Sequence, residues 1–249
     1  MKHKIKALKN NNHDLVNDIY GKALLNYHAN PGKQEILVHS DIAETDHYPI
    51  SWFFRSSKQF PELENIALDL CKGRILDIGA GTGIHTKELQ NRNQDCTAID
   101  ISEGAVEIMK NQGIQNVFLQ DFFTIENEKY DTLLMLMNGF GVMGKMEFVQ
   151  RFFDKAKEVL TPNGQIIVDS SDLIHLYQEE DGSVLLDLNG PYYGEINYQM
   201  EFNGEKGTPF PWLFIDFGSL QYEAEQAGFK AVKIFEEETN HYLAQITRI

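Results

Sequence analysis

The sequence has few cysteines and no long apolar run. Its 249 residues include two cysteines, Cys71 and Cys96, which are too few for a disulfide framework and lack the spacing of a metal site. No stretch approaches the about eighteen apolar residues of a membrane-spanning helix, and no apolar signal-peptide core follows the basic residues 1–6. These absences predict a cytoplasmic protein with no disulfide, no metal site and no membrane segment.

Basic residues are scarce as well. The chain has 22 Lys and Arg against 37 Asp and Glu, which gives a formal net charge of −15 at pH 7. Such a charge repels phosphate backbones and argues against nucleic acid as the substrate. With 42% hydrophobic residues, the chain is long enough to bury the core of one large α/β domain.

Three of the 19 glycines lie in one short loop. The apolar run 74–78 predicts a buried strand, and Gly79, Gly81 and Gly83 interrupt it before a helical pattern begins. Glycine permits a sharp reversal there and leaves no Cβ between the backbone and a ligand. Backbone N–H groups of the loop and of the helix start then face that ligand. A tight turn that binds nothing is the alternative interpretation.

Two kinds of nucleotide-binding protein have a glycine-rich loop after a first strand. The dinucleotide fingerprint requires glycine or alanine three residues after its second glycine, where this chain has Ile84. The Gly-x-Gly-x-Gly spacing behind an aspartate instead resembles the first motif of the class I S-adenosylmethionine-dependent methyltransferases. The resemblance implies that S-adenosyl-L-methionine (SAM) is the cofactor and that it is bound by Asp77, Gly79, Ala80, Gly81 and Gly83.

The second predicted strand ends in an acid. Residues 96–100 form an apolar run that ends at Asp100, whose carboxylate can accept hydrogen bonds from both ribose hydroxyls of a nucleoside over the loop. The alternative role of helix N-cap fits Ser102 better, because a helical pattern follows at 103–110. Ile101 would give the adenine an apolar wall.

The next two predicted strands also end in candidate site residues. Residues 117–122 predict a third strand, and the resemblance implies that Asp121 accepts from the adenine amine while Phe122 lines the adenine pocket. Residues 130–137 predict a fourth strand, which the family ends beside the reactive methyl group. Asn138 follows and is a candidate to hold the methionine moiety or the substrate. The segment lacks the Asn/Asp-Pro-Pro-Tyr pattern of amino-group methylation on bases or glutamine, which argues against those substrates.

Three further residues are candidates for binding or proton transfer. Arg55 follows the aromatic cluster 48–54, and a guanidinium beside aromatic rings suits the carboxylate of the cofactor or of the substrate. A hydroxyl or ammonium acceptor needs a base, for which His85 beside the loop and Asp172 after the predicted strand 165–170 are candidates. Both have plainer alternatives, since such residues are often structural and Asp172 suits a helix cap.

Strand and helix patterns alternate along the chain, which indicates an α/β fold. The resemblance implies a three-layer α/β/α sandwich around a mostly parallel, seven-stranded sheet. The last two predicted strands, 229–236 and 241–249, are joined by a short acidic turn and predict an antiparallel C-terminal hairpin. An all-parallel dinucleotide fold has no such pair, so an NAD(P)-dependent oxidoreductase is the less favoured alternative.

Two segments are expected to cover the sheet. Residues 1–69 predict a helical and extended cap with an amphipathic helix at 14–27, in front of a methyltransferase domain at 70–249. Within that domain, residues 190–216 predict an inserted β-hairpin rich in aromatic side chains. The insert would form a substrate lid, a cover for the sheet or a dimer contact.

These observations together predict SAM-dependent methyl transfer to a small-molecule acceptor. In-line transfer requires mainly that donor and acceptor are held in line and that water is excluded, so it needs no metal and no nucleophilic side chain. A protein methyltransferase and a non-catalytic SAM-binding protein are the alternatives. A closed aromatic pocket would favour the small molecule, and a broad acidic face would favour a basic protein partner.

Overall fold

The computed structural model describes residues 18–179, 181–187 and 189–249. The first residues of the helix predicted at 14–27, and the cap segment before it, lie outside these ranges. In the part that is described, no helix is both long and apolar enough to cross a membrane.

The α-helices of the described residues are short, and side chains cap several of their first turns. They are α1 (Ile19–Ala29), α2 (Glu62–Leu70), α3 (Ile84–Asn91), α4 (Glu103–Asn111), α5 (Val149–Val159) and α6 (Phe217–Gln226). Asp18 accepts a hydrogen bond from the backbone N–H of Gly21 at the start of α1. Ser102 accepts from the N–H of Ala105 and is therefore the N-cap of α4, as the sequence predicts.

The strands fall into two sheets. They are β1 (Glu35–Ser40), β2 (Asp46–Pro49), β3 (Arg74–Ile78), β4 (Asp95–Asp100), β5 (Val117–Leu119), β6 (Tyr130–Met135), β7 (Leu160–Ser171), β8 (Glu195–Phe202), β9 (Glu205–Lys206), β10 (Phe210–Leu213), β11 (Phe229–Glu236) and β12 (His241–Arg248). The main sheet has seven strands among the described residues, in the order β11-β12-β7-β6-β3-β4-β5.

Strand direction decides which residues share an edge of the main sheet. The pairs β7–β6, β6–β3, β3–β4 and β4–β5 are parallel, whereas β12 is antiparallel to both β7 and β11. This confirms the predicted mostly parallel sheet with an antiparallel C-terminal hairpin. Because β12 is reversed, its first residue, His241, lies at the edge where the parallel strands have their carboxyl ends.

Helices bury both faces of this sheet and give the three predicted layers. Side chains alternate between the faces, so Leu76 packs in the same cluster as Phe152 of α5 and Leu220 of α6. Its neighbour Ile75 packs in a second cluster with Leu63 of α2. Complete burial of such a side chain contributes about 1.5–3 kcal/mol, so both faces contribute to stability.

One predicted turn lies inside a strand. The sequence predicts a turn at 161–164, but β7 runs through these residues. Pairing with β6 moves from Leu160 opposite Tyr130 to Gln165 opposite Thr132, so residues 161–164 bulge out of the ladder. The turn-forming residues 161–164 therefore interrupt the pairing of β7 with β6 and do not end the strand.

The second sheet joins the cap segment to the insert. Its order is β10-β8-β1-β2, with β9 paired to β8, and all its pairs are antiparallel. Strands β8 and β10 form the predicted inserted hairpin, with Tyr198 opposite Phe210. The pairing of Leu37 with Glu201 then connects this hairpin to β1. The two covering segments are thus one structural layer.

Candidate functional site

The loop between β3 and α3 brings bare backbone to the wall of a cavity. Gly79 and Gly81 have φ values of 69° and 58°, in the left-handed region that favours glycine. A Cβ on Gly81 would lie 2.8 Å from the hydroxyl oxygen of Tyr20. Both glycines and Ala80 line the cavity. At Gly81 the missing Cβ thus makes room for Tyr20, whereas a Cβ on Gly79 would have only Cγ1 of Val142 within 4 Å, at 3.8 Å, so the main chain there is open to a ligand.

Gly83 lies outside the cavity, although the sequence predicts it as a binding residue. Its φ is 76°, and a Cβ there would lie 2.6 Å from Cδ1 of Ile114 and 2.7 Å from Cγ of Met109. These side chains belong to α4 and the segment after it. In the structure, Gly83 allows close packing of α3 against that layer.

Asp100 presents its carboxylate at the end of β4. Its Oδ2 accepts from the N–H of Gly81 and its Oδ1 from the N–H of Ser102, both at 2.8 Å. Burial raises the pKa of Asp100 to about 6; the two backbone hydrogen bonds oppose this rise, and the charges of Asp18 and Asp77 add to it. A carboxylate oxygen has two lone pairs, so each oxygen can still accept from a ligand.

The predicted adenine residues also line the cavity. Asp121 Oδ1 accepts from the N–H of Phe123 at 2.8 Å, and its Oδ2 has no hydrogen-bond partner among the described residues. The ring of Phe122 is buried, and Ile101 is partly exposed towards the same cavity. The arrangement offers one free acceptor between apolar side chains, although contact with adenine stays a prediction.

Asp77 lies at the base of the loop. Its Oδ2 accepts from the hydroxyl of Thr86 at 2.6 Å, which links β3 to the first turn of α3. Burial raises the pKa of this carboxyl, against the lowering effects of the His85 charge and of the hydrogen bonds from Thr86. Asp77 lines the cavity and also holds the loop in place.

The loop after β6 is strained. Met137 and Asn138 have φ values of 64° and 54°, which is uncommon for residues other than glycine. Asp169 accepts from the N–H groups of Met137 and Gly139 at 3.0 and 3.3 Å and so stabilises this backbone. Asn138 lines the cavity, and its Oδ1 accepts from the hydroxyl of Ser171 at 2.9 Å. Strain of this kind is typical of functional loops.

Arg55 is not in the cavity wall, where the sequence predicts it. Its guanidinium pairs with Glu64, donates to the carbonyl oxygen of Trp52 at 2.7 Å and lies 4.1 Å above the Trp52 ring. Glu64 also bonds His85 Nε2 through its other oxygen, at 2.8 Å. Glu64 and His85 do line the cavity. The charge of Arg55 is therefore already matched by Glu64, a partner that the sequence did not predict.

Asp172 is also outside the cavity. Its Oδ1 accepts from the N–H of Ile174 at 2.9 Å and from the hydroxyl of Tyr193 at 2.7 Å. The first bond closes a turn from Asp172 to Ile174, the first residue of a short 3₁₀-helix that follows β7 and has Leu173 as its N-cap. Asp172 therefore stabilises the local turn and does not line the cavity.

A histidine–aspartate pair that the sequence did not predict lies at the same edge. His241 Nε2 is 2.9 Å from Oδ2 of Asp169. Leu243 of β12 pairs with Asp169 of β7, so His241, two residues before it, is a diagonal neighbour on the same face. His241 lines the cavity, whereas Asp169 is fully buried behind it.

The residues described above as lining a cavity all line the same one, which has a volume of about 700 Å³. That volume is within the range of small-molecule sites. The second sheet and the cap supply its aromatic wall, which consists of Tyr20, Tyr48, Trp52, Phe53, Tyr198, Phe210, Trp212 and Phe214. Among the described residues, no group of three or more His, Cys, Asp or Glu side chains is arranged to hold a metal ion.

Comparison with known proteins agrees with this geometry. A family model described as a methyltransferase domain matches residues 75–164. The chain is 40% identical to a SAM-dependent methyltransferase from Bacteroides fragilis, which was crystallised with S-adenosyl-L-homocysteine (SAH). The match covers 93% of this chain and 94% of that chain, with a TM-score of 0.86. The chain belongs to the SAM-dependent methyltransferases.

Other relatives of this methyltransferase are more distant. The ubiquinone biosynthesis O-methyltransferase of Rickettsia conorii is 30% identical over 113 residues, which are 44% of this chain and 38% of that protein. The match to the biotin biosynthesis bifunctional protein BioHC of Saccharophagus degradans is 24% identical and spans 26% of that protein. The chain therefore matches well under half the length of these curated relatives.

Proteins of lower sequence identity share the fold of this chain. The CcbJ methyltransferase of Streptomyces caelestis is 15% identical, and the match covers 78% of this chain and 99% of that chain with a TM-score of 0.60. The class I fold and the dependence on SAM that the sequence predicts are thus confirmed for this methyltransferase. The individual contacts of its site residues stay predictions.

Proposed function

We propose that this methyltransferase binds SAM along the glycine loop and methylates a small, neutral or cationic molecule under the second sheet. The observation that carries the proposal is the single cavity in which the bare glycine loop, the strand-end acids and the aromatic wall meet. A concave site of this volume with an aromatic wall favours a small acceptor over a protein surface. Donor and acceptor held there would be in reach of each other and shielded from water.

The residues present fit the cofactor. Gly79 leaves room for it, since the only atom within 4 Å of a Cβ there is Cγ1 of Val142, a residue that lines the cavity, at 3.8 Å. Asp100 would hold the ribose, and the free Oδ2 of Asp121 would accept from the adenine amine beside Phe122. When bound, SAM supplies an electrophilic methyl group: the acceptor lone pair forms a bond to carbon while the carbon–sulfur bond breaks with its electrons to sulfur.

Charge narrows the choice of acceptor. The ionisable side chains that line the cavity are acids, histidines and tyrosines, and none of the described lining residues is Lys or Arg. Acidic walls attract cations and repel carboxylates and phosphates. The same walls, together with the net charge of −15, support the proposal that nucleic acid is not a substrate.

We also propose that the protein acts in the cytoplasm. Cys71 and Cys96 are free thiols, and both are buried. Free thiols are typical of proteins in a reducing compartment. Fractionation of the native host would test this, and recovery in an extracellular fraction would contradict it.

Calorimetric titration with SAM and with SAH tests the cofactor. We expect both to bind with micromolar dissociation constants, and failure of both in a folded sample would contradict the proposed function. Three phenols that differ in charge then test the acceptor: tyramine, 4-methylphenol and 4-hydroxyphenylacetate. We expect the SAH-saturated protein to bind the cation and the neutral phenol at least about tenfold more tightly than the anion. Preference for the anion would contradict the charge argument.

A further inference from the structure

We propose that His241 removes the proton from the methyl acceptor and that Asp169 positions it for this step. The inference rests on the proposed methyl transfer and assigns a base to it. His241 is the first residue of β12, at the edge of the main sheet where the glycine loop and the loop after β6 also lie. It lines the cavity together with Met137 and Asn138 of the strained loop after β6.

Asp169 holds the imidazole in one orientation. Its carboxylate accepts three hydrogen bonds: two from the N–H groups of Met137 and Gly139, and one from His241 Nε2 at 2.9 Å. A buried carboxylate with acceptor sites only requires donors, so Nε2 carries the proton in the neutral ring. The same aspartate thus fixes the strained loop and the histidine relative to each other.

The second ring nitrogen is left for a ligand. The nearest acid to Nδ1 is Glu237, whose Oε2 is 3.7 Å away and therefore too far for a hydrogen bond. No described residue makes a hydrogen bond to Nδ1. With Nε2–H bonded to Asp169, Nδ1 has the lone pair and can accept a proton. The His241 side chain is 23% exposed, against 6% for His85, so a substrate reaches it more readily.

The surrounding charges make His241 a stronger base. Burial acts to lower the pKa of its imidazole, but the hydrogen bond and charge of Asp169 and the charges of Glu237 and Glu64 outweigh it and raise the pKa. These acids face the ring from β7, from the turn before β12 and from α2. A general base is most effective when its pKa is near the working pH.

The proton balance defines the acceptor. An acceptor hydroxyl must lose one proton as its new bond to the methyl carbon forms, and an ammonium must lose one beforehand to free its lone pair. Nδ1 of His241 takes that proton. The imidazolium then returns it to solvent after the product leaves. The acceptor therefore has a hydroxyl or protonated amine, whereas an unprotonated tertiary amine already has a free lone pair and gains nothing from His241.

Imidazole ¹⁵N NMR of the protein without acceptor tests the geometry independently of turnover. The His241 signal is assigned with His241→Gln, whose amide can still donate to Asp169 but cannot accept a proton. We expect a pKa above 6.5 and a neutral ring protonated on Nε2; Asp169→Asn should lower that pKa. A neutral ring protonated on Nδ1 would overturn the proposal.

Kinetics test the role of His241 as the base, with SAH release as the readout and the phenol that the protein methylates as the acceptor. We expect His241→Gln to lower kcat about 100-fold or more while changing the SAM dissociation constant less than about twofold. The wild-type rate should rise with pH through the pKa measured by NMR, and Asp169→Asn should move both midpoints together. His47→Asn is the control, because His47 is exposed, pairs with Glu35 at 3.1 Å and does not line the cavity.

Failure of the assignment of His241 as the base and failure of the proposed function would give different results. A His241→Gln protein that binds SAM and keeps the wild-type rate and pH profile would overturn the assignment of the base alone. Failure of the wild-type protein to bind SAM would instead overturn the proposed function.

Discussion

Lowering the pH from 8 to 5 should weaken the binding of SAH, because Asp100 titrates in this interval. Burial raises the pKa of Asp100 from its ordinary value of 3.8 to about 6, even though Gly81 and Ser102 donate backbone hydrogen bonds to it. The ribose hydroxyls would donate to the ionised carboxylate. Protonation removes the charge from that acceptor, so binding and protonation of Asp100 compete.

The size of the effect follows from the pKa. An acid with a pKa of about 6 is about one-tenth ionised at pH 5, so the affinity should fall up to about tenfold, or about 1.4 kcal/mol. Loss of fold does not explain such a fall. Because the folded pKa lies above the unfolded one, the contribution of this group to stability is fully present below pH 3.8 and is lost as pH rises to about 6.

Calorimetry at several pH values measures this dependence, with Asp100→Asn as the control. The amide has nearly the same shape but does not titrate in this range, so the variant should bind more weakly at pH 8 and show a smaller change towards pH 5. Near pH 6 the wild-type heat should depend on the buffer, because binding releases a proton. A wild-type affinity that is independent of pH, or an equal pH dependence in the variant, would refute the role of Asp100.

Two further predictions concern stability and are measured by denaturant unfolding. Glu64→Gln leaves the buried Arg55 without its anion and should lower the free energy of unfolding by about 3 kcal/mol or more. Glu62→Gln is the control, because Glu62 is exposed on the same helix and its substitution should change the free energy of unfolding little. Equal effects of the two substitutions would contradict a stabilising ion pair between Glu64 and Arg55. Gly83→Ala should cost about 1–3 kcal/mol more than Gly113→Ala, because the two glycines have φ values of 76° and 77° but only the Cβ at 83 meets other atoms within 4 Å. An equal cost would mean that backbone strain alone matters.

The elements of the main sheet could be predicted because their signals are local. The apolar run 74–78 predicts a strand and the structure has β3 at Arg74–Ile78. The serine cap and helical pattern at 103–110 predict a helix, and α4 spans Glu103–Asn111. In each case an apolar period and a cap or glycine lie within a few residues of one another, so no distant contact is needed to recognise the element.

The second sheet could not be predicted in the same way. Its strands β1 and β8 are recognisable separately, but the pairing of Leu37 with Glu201 joins a segment before β3 to one inserted between β7 and β11. Both strands are half-buried, and an alternating pattern identifies the buried face of a strand without identifying its partner. The joined covering layer therefore emerges only from the three-dimensional structure.

The same difference between local signals and distant pairing explains which residues of the site could be predicted. Asp100 and Asp121 follow parallel strands, whose carboxyl ends share one edge, so chain order was sufficient to bring them to one cavity. His241 was missed because it begins a strand. In an antiparallel strand the first residue, rather than the last, reaches that edge, and its partner Asp169 depends on the register between β12 and β7. The start of the reversed strand must therefore be searched together with the ends of the parallel ones.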